Sequence, residues 1–174
     1  MKKILSFVAL VILLNSTVKA QKTFSTRNGK ISFIAAKDDD VKAVNNEVTS
    51  RLSVNGSLNF SCLIKGFRFA NAEMQDHFNT EYLESTKFPR ADFKGTITNL
   101  AAINFAKDGV YKATAKGDLI MHGVTKNITV NGTITIKAGK PTATATFNIT
   151  MTDFKIDAST VTDKVMAEIN CVYQ

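Results

Sequence analysis

Between Val124 and Lys137 apolar and polar side chains fall on opposite sides of a two-residue period, and no other feature of the chain constrains its fold as strongly. Val124, Ile128, Val130, Ile134 and Ile136 share one face with Gly132, while Thr125, Asn127, Thr129, Asn131, Thr133, Thr135 and Lys137 occupy the other. Successive side chains of a strand point to opposite faces, so this stretch predicts a half-buried β-strand. Asn131-Gly132 is a pair that favours a tight hairpin. The alternation nevertheless passes through the glycine without changing phase, which favours one long bent strand.

The same period recurs along the chain. Leu58, Phe60, Cys62 and Ile64 oppose Ser57, Asn59 and Ser61, and Ala143, Ala145, Phe147, Ile149 and Met151 oppose a run of threonines and Asn148. Val48, Ser50, Leu52 and Val54 form another such face, as do Ala167, Ile169, Cys171 and Tyr173. With 31–36, 91–100 and 110–121 added, about eight long strands are expected, punctuated by Gly56, Asp108-Gly109, His122-Gly123 and Gly139-Lys140-Pro141. Strands with one wet and one apolar face make an antiparallel sheet, and closing that sheet removes its exposed edges.

The predicted fold is therefore all-β, an eight-stranded antiparallel barrel whose interior is either filled by side chains or holds one small ligand. On 110–121 the inward face reads Tyr111, Ala113, Ala115, Gly117, Leu119 and Met121, and Ala143 and Ala145 follow on a later strand. Such small residues leave space along the axis and point to a cavity. The competing reading has Phe33, Phe60, Phe93 and Phe147 filling that space. Residues 71–89 break the period: Met74, Phe78 and Tyr82 recur at four-residue spacing, so one or two short helices are expected near 73–86, ended by Pro89. They would lie over a mouth of the barrel.

Composition narrows the function. The chain carries 22 Lys plus Arg against 15 Asp plus Glu, a net charge of +7. Residues 1–20 begin with Lys2-Lys3, continue through an apolar run to Leu14 and close on Val18-Lys19-Ala20. This is the pattern of a secretory signal peptide, too short in its apolar part to span a bilayer. Cleavage near Ala20 would leave 21–174 as a single domain with 19 basic and 15 acidic residues, a net of +4 without a basic patch. Nucleic acid is a poor partner for such a surface. Lys37-Asp38-Asp39-Asp40 reads as a solvated turn and lacks the spacing of a calcium loop. Cys62 and Cys171 are far apart in sequence; export permits a disulfide between them, and the apolar face on which each sits equally permits two buried thiols.

Two motifs carry a family resemblance. The run Asp76-His77-Phe78-Asn79-Thr80-Glu81-Tyr82-Leu83-Glu84 leading through Phe88-Pro89 to Phe93-Lys94-Gly95 resembles the central signature of the YceI-like family. Gly117-Asp118-Leu119-Ile120-Met121-His122-Gly123-Val124-Thr125-Lys126 resembles a second signature, and Met151-Thr152-Asp153-Phe154-Lys155-Ile156 is a fainter echo of a late strand, without the family's usual basic residue and glycine. The resemblance implies an extended lipocalin-like barrel, periplasmic or secreted, whose apolar lumen accommodates a polyisoprenoid chain such as that of an isoprenoid quinone or a polyprenyl phosphate. No cofactor is implied beyond that bound lipid. A homodimer and transient contact with a membrane or membrane protein are compatible with it.

Phase and resemblance together nominate Phe60, Phe93, Tyr111, Leu119, Met121, Ile128, Val130, Phe147, Ile149 and Met151 for contact with the ligand, with Phe78, Tyr82 and Leu83 covering a mouth. His77 and His122 are the only histidines. Without fixed ligand spacing they do not make a metal site, and the structural expectation is that His122 bonds within its own turn while His77 ties the helical segment to the barrel rim. No Gly-x-Ser-x-Gly elbow and no phosphate-cradling glycine loop is present, so no catalytic residue is expected. The alternative function is an interaction protein with a filled barrel, serving a membrane electron-transfer or stress-response partner.

Overall fold

Alternating residues become strand wherever a neighbour supplies the other half of the ladder, and here the ladders run full circle. The computed structural model describes residues 21–35, 38–158 and 163–174, residues 38–40 by backbone alone. The expected export segment, residues 1–20, lies outside the described residues. Among the described residues the strands are β1 (Thr23–Ala35), β2 (Asp38–Ser53), β3 (Ser57–Leu63), β4 (Arg68–Phe69), β5 (Arg90–Ile97), β6 (Gly109–Met121), β7 (Val124–Lys137), β8 (Lys140–Thr150) and β9 (Lys164–Val172). All pair antiparallel in the order β1-β9-β8-β7-β6-β5-β3-β2, and β1 pairs again with β2, closing an eight-stranded barrel; two-residue β4 adds to the start of β2.

The long strand over Val124–Lys137 is continuous, as its phase requires. The two tight hairpins of the β6-β7-β8 meander place both central residues at positive φ: His122 (52°) and Gly123 (73°), then Ala138 (50°) and Gly139 (72°). That is the backbone a two-residue hairpin with right-handed twist demands. The second turn precedes Lys140-Pro141, which already belong to β8; proline is tolerated at the start of a strand.

Two strands are much longer than their sequence pattern suggests. β1 begins at Thr23 and β2 at Asp38, so Asp38–Asp40 open a strand and do not form a solvated turn. The reason lies in buried polar residues on their inner faces. Thr26, Asn45 and Ser50 are all buried. Asn45 donates from Nδ2 to the Leu63 carbonyl at 2.9 Å and accepts from the Glu47 amide at 2.8 Å. Ser50 Oγ donates to the Asn59 carbonyl at 2.8 Å and lies 2.9 Å from the hydroxyl of buried Tyr173. An apolar-polar count cannot see a polar residue whose partner is supplied by another strand. Asn45→Ala removes both bonds of a fully buried side chain, while the Leu63 carbonyl and the Glu47 amide belong to exposed residues and can turn to water. The expected result is a loss of roughly 1–3 kcal/mol in urea denaturation, against less than about 0.5 kcal/mol for a substitution at neighbouring exposed Asn46.

Cys62 and Cys171 are free buried thiols that pack as small hydrophobes, and no disulfide joins them.

Candidate functional site

The inner faces of the strands enclose a cavity of about 490 Å³. Its space comes from a row of small residues in register across three strands: Ala113 on β6 opposes Gly132 on β7, which opposes Ala145 on β8. All three border the cavity. Phe33, Phe60, Phe93 and Phe147 line the space and leave it open, so the barrel is not filled by its own side chains.

Of the residues nominated from sequence, Phe60, Phe78, Tyr82, Leu83, Phe93, Leu119, Met121, Ile128, Val130, Phe147, Ile149 and Met151 all border the cavity. Tyr111 does not. Its phase is inward, but it stands near the start of β6, its ring beside Gly109 and its hydroxyl donating to the Lys107 carbonyl at 2.9 Å. Several lining residues escaped the sequence reading, among them Val41, Phe67 and Phe69. Val41 sits in the part of β2 hidden by polar neighbours, and Phe67 and Phe69 belong to a turn and a two-residue strand with no periodicity to read.

The helical segment closes one end. Helix α1 (Ala72–His77) starts at Asn71, whose side chain accepts from the Glu73 and Met74 amides at 2.8 and 3.3 Å. A π-helical turn over Phe78–Tyr82 follows, with the Leu83 amide bonded to the Phe78 carbonyl at 2.9 Å. The wider turn replaces the expected four-residue spacing with a five-residue one that buries Phe78 and Leu83 together. Phe78 packs against Phe33, Phe67 and Phe69 with ring centroids 5.0–5.6 Å away.

The polar residues bordering the cavity at this end are Asn71, Glu73, His77 and Glu81. His77 Nδ1 lies 2.8 Å from Glu81 and Nε2 3.8 Å from Glu73, both on its own segment. The hydrogen bond to the Glu81 carboxylate raises the His77 pKa above its ordinary value. His77 therefore pairs along the helix, and the tie to the barrel is made by the other histidine. His122, in the β6-β7 turn, places Nδ1 3.0 Å from the Phe154 carbonyl and Nε2 2.9 Å from Glu84 Oε2, with the Phe88 ring 4.5 Å away. The bond to His122 lowers the Glu84 carboxyl below the usual range. His122 thus joins three segments, where a bond within its own turn was expected. Phe154 lies in a 3-10 turn (Thr152–Phe154), so this stretch is a turn and not the late strand of the resemblance. Among the described residues no group of three or more His, Cys, Asp or Glu side chains is placed to hold a metal ion.

The sequence matches the YceI-like domain over residues 13–173. The chain belongs to the YceI-like family. A UPF0312 protein of Pseudomonas fluorescens is 33% identical over 112 residues, 64% of this chain and 48% of that protein, so the chain spans about half the length of this relative. Among solved structures the fold is similar to a polyisoprenoid binding domain from Saccharophagus degradans implicated in plant cell wall breakdown (TM-score 0.74, 11% identity, 89% and 99% of the two chains). It is also similar to BcnA of Burkholderia cenocepacia (TM-score 0.69, 16% identity, 84% and 96%) and to the YCEI protein of Campylobacter jejuni (TM-score 0.54, 19% identity, 72% and 78%). At these identities the likeness is one of fold.

Proposed function

We propose that the barrel is an exported binding protein that holds one apolar, isoprenoid-type lipid in its lumen for transport or storage. The observation that carries this reading is the 490 Å³ cavity bordered almost throughout by Phe, Ile, Val, Leu, Met and Ala. That volume falls among those of sites enclosing drug-sized ligands, about 300–1,000 Å³. A hydrocarbon chain has no hydrogen-bonding groups to satisfy, and each methylene-sized group moved from water into such a lumen contributes roughly 0.8 kcal/mol. The polyisoprenoid-binding domain of Saccharophagus degradans, which shares the fold, supports the same ligand class.

The mouth bears on the head group. Glu73 and Glu81 border the cavity beside His77 and Asn71, and no lysine or arginine does so among the described residues. Carboxylates at the rim repel a phosphate and suit a neutral, hydrogen-bonding head such as a quinone or an alcohol. Organic extraction of protein purified from its own host, followed by mass spectrometry, is expected to release about one lipid per chain with a neutral head group. A lipid-free extract overturns the carrier reading, and a predominantly phosphorylated lipid overturns the head-group assignment.

A further inference from the structure

The wall of the barrel is not uniformly sealed. β7 pairs with β6 along its whole length, from Gly109–Ile136 to Met121–Val124, and β8 pairs with β9 from Thr142–Val172 to Thr150–Lys164. Between β7 and β8, however, the ladder runs only from Lys137–Lys140 to Gly132–Ala145. Beyond that rung residues 124–131 and 146–150 are paired on one side only, and the two strands part.

The parting begins at a glycine and has a visible consequence. A Cβ at Gly132 would stand 2.4 Å from the Thr144 carbonyl oxygen, so only glycine permits the close approach at the last rung, and glycine inside a strand marks such bends. On the zipped half of β7, Ile134, which lines the lumen, and inward-facing Ile136 are each 2% exposed. On the parted half Ile128 and Val130 face the same lumen yet are only half-buried, as are Phe147 and Ile149 across from them on β8. A hollow on the outer wall shares Gly132, Thr133, Thr144, Ala145 and Ile169 with the lumen.

The far end of the gap is held by side chains. There the 3-10 turn after β8 reaches the start of β7 through the His122–Phe154 bond and an exposed Lys126–Asp153 pair at 3.4 Å. Glu84 on the other nitrogen of His122 connects this clasp to the segment over the mouth.

We propose that the β7–β8 gap is a lateral window through which the apolar chain enters and leaves the lumen, hinged at Gly132 and clasped by His122. The proposal rests on the reading that the lumen holds such a chain. Widening the window breaks no rung of the ladder; it strains the clasp, the packing of buried Phe154 and the exposed ion pair, and exposed ion pairs contribute little. Threading a long chain past the mouth instead disturbs the four-ring cluster around Phe78, whose ring pairs add stabilisation beyond burial. The window also exposes the lumen along its side, where a long tail can pass without reptating end-on.

Continuing the ladder by one rung pairs Asn131 with Thr146, both outward-facing. In the N131C/T146C variant, a disulfide staples the gap shut, and the same protein serves as its own control when reduced. Exchange of a pyrene-labelled prenol from phosphatidylcholine vesicles is expected to slow on the order of tenfold on oxidation, a barrier change of about 1.4 kcal/mol, and to recover on reduction. T135C/T142C, a staple within the existing ladder, is expected to change nothing, and Glu84→Gln is expected to speed exchange severalfold. Probe binding with equal rates in both redox states of N131C/T146C overturns the window and leaves the carrier reading standing. Absence of probe binding in either state overturns both.

Discussion

Replacing Ala113 by Phe is expected to empty the barrel without unfolding it. Ala113 is buried, borders the cavity and belongs to the row of small residues that creates its space. A phenyl ring there enters a void, so overpacking costs stay within the range of about 1–3 kcal/mol seen for enlarged core residues. The ligand, in contrast, loses the volume the ring takes. Co-purifying lipid is expected to fall at least about tenfold, which requires only 1.4 kcal/mol of lost affinity, while far-UV circular dichroism is unchanged. Thr114→Phe, one residue along and facing out, is expected to retain its lipid. An Ala113→Phe protein that still carries one lipid per chain would remove the cavity from the account of function.

The second large effect is alkaline. Burial pushes the Cys62 thiol from 9.0 up to about 12 and the Cys171 thiol up to about 11, and burial followed by the neighbouring Cys171 raises the Tyr173 phenol above its usual value. All three are acids held neutral by the fold. Their contribution is fully present below the unfolded values and is lost as pH rises through them, because the unfolded chain sheds protons that the native chain keeps. From about pH 9 to pH 11 each thiol removes about 1.4 kcal/mol per pH unit, roughly 3 kcal/mol per unit for the pair, and Tyr173 adds its share above about pH 10. Against a typical total of about 5–15 kcal/mol the protein is expected to lose a large part of its stability by pH 11. Urea midpoints measured from pH 7 to 10.5 check this. The Cys62→Ala, Cys171→Ala double variant is expected to lose the slope between pH 9 and 10, and an unaltered slope would assign the alkaline transition to other groups.

Particular elements show why some of the fold is readable and some is not. β6 and β7 are legible because every inward position through the lumen is apolar or small and the outward ones are mostly polar, with Val110 and Ile120 of β6 as exposed exceptions, so phase alone identifies lining residues such as Leu119, Met121, Ile128 and Val130. Phase does not report height along the axis, which is why Tyr111 shares the inward face and misses the cavity. β1 and β2 are under-read because Thr26, Asn45 and Ser50 are buried polar residues, two of them satisfied by the neighbouring strand β3 and Ser50 also by distant Tyr173. His122 offers only a turn-forming neighbour in sequence; its two partners lie 32 and 38 residues away.

The sequence by itself determined a barrel of alternating strands, its antiparallel pairing, an open lumen implied by a row of small residues, and the helical interruption before Pro89. These follow from local rules, since the period of a strand and the volume of a side chain are written in the residues themselves. Only the tertiary structure decided where β7 and β8 part company, which polar groups are satisfied inside, and which histidine binds the segment over the mouth. Those depend on register and on contacts between residues far apart in the chain, and the alternation of β7 runs unchanged through Gly132, the point at which its neighbour departs.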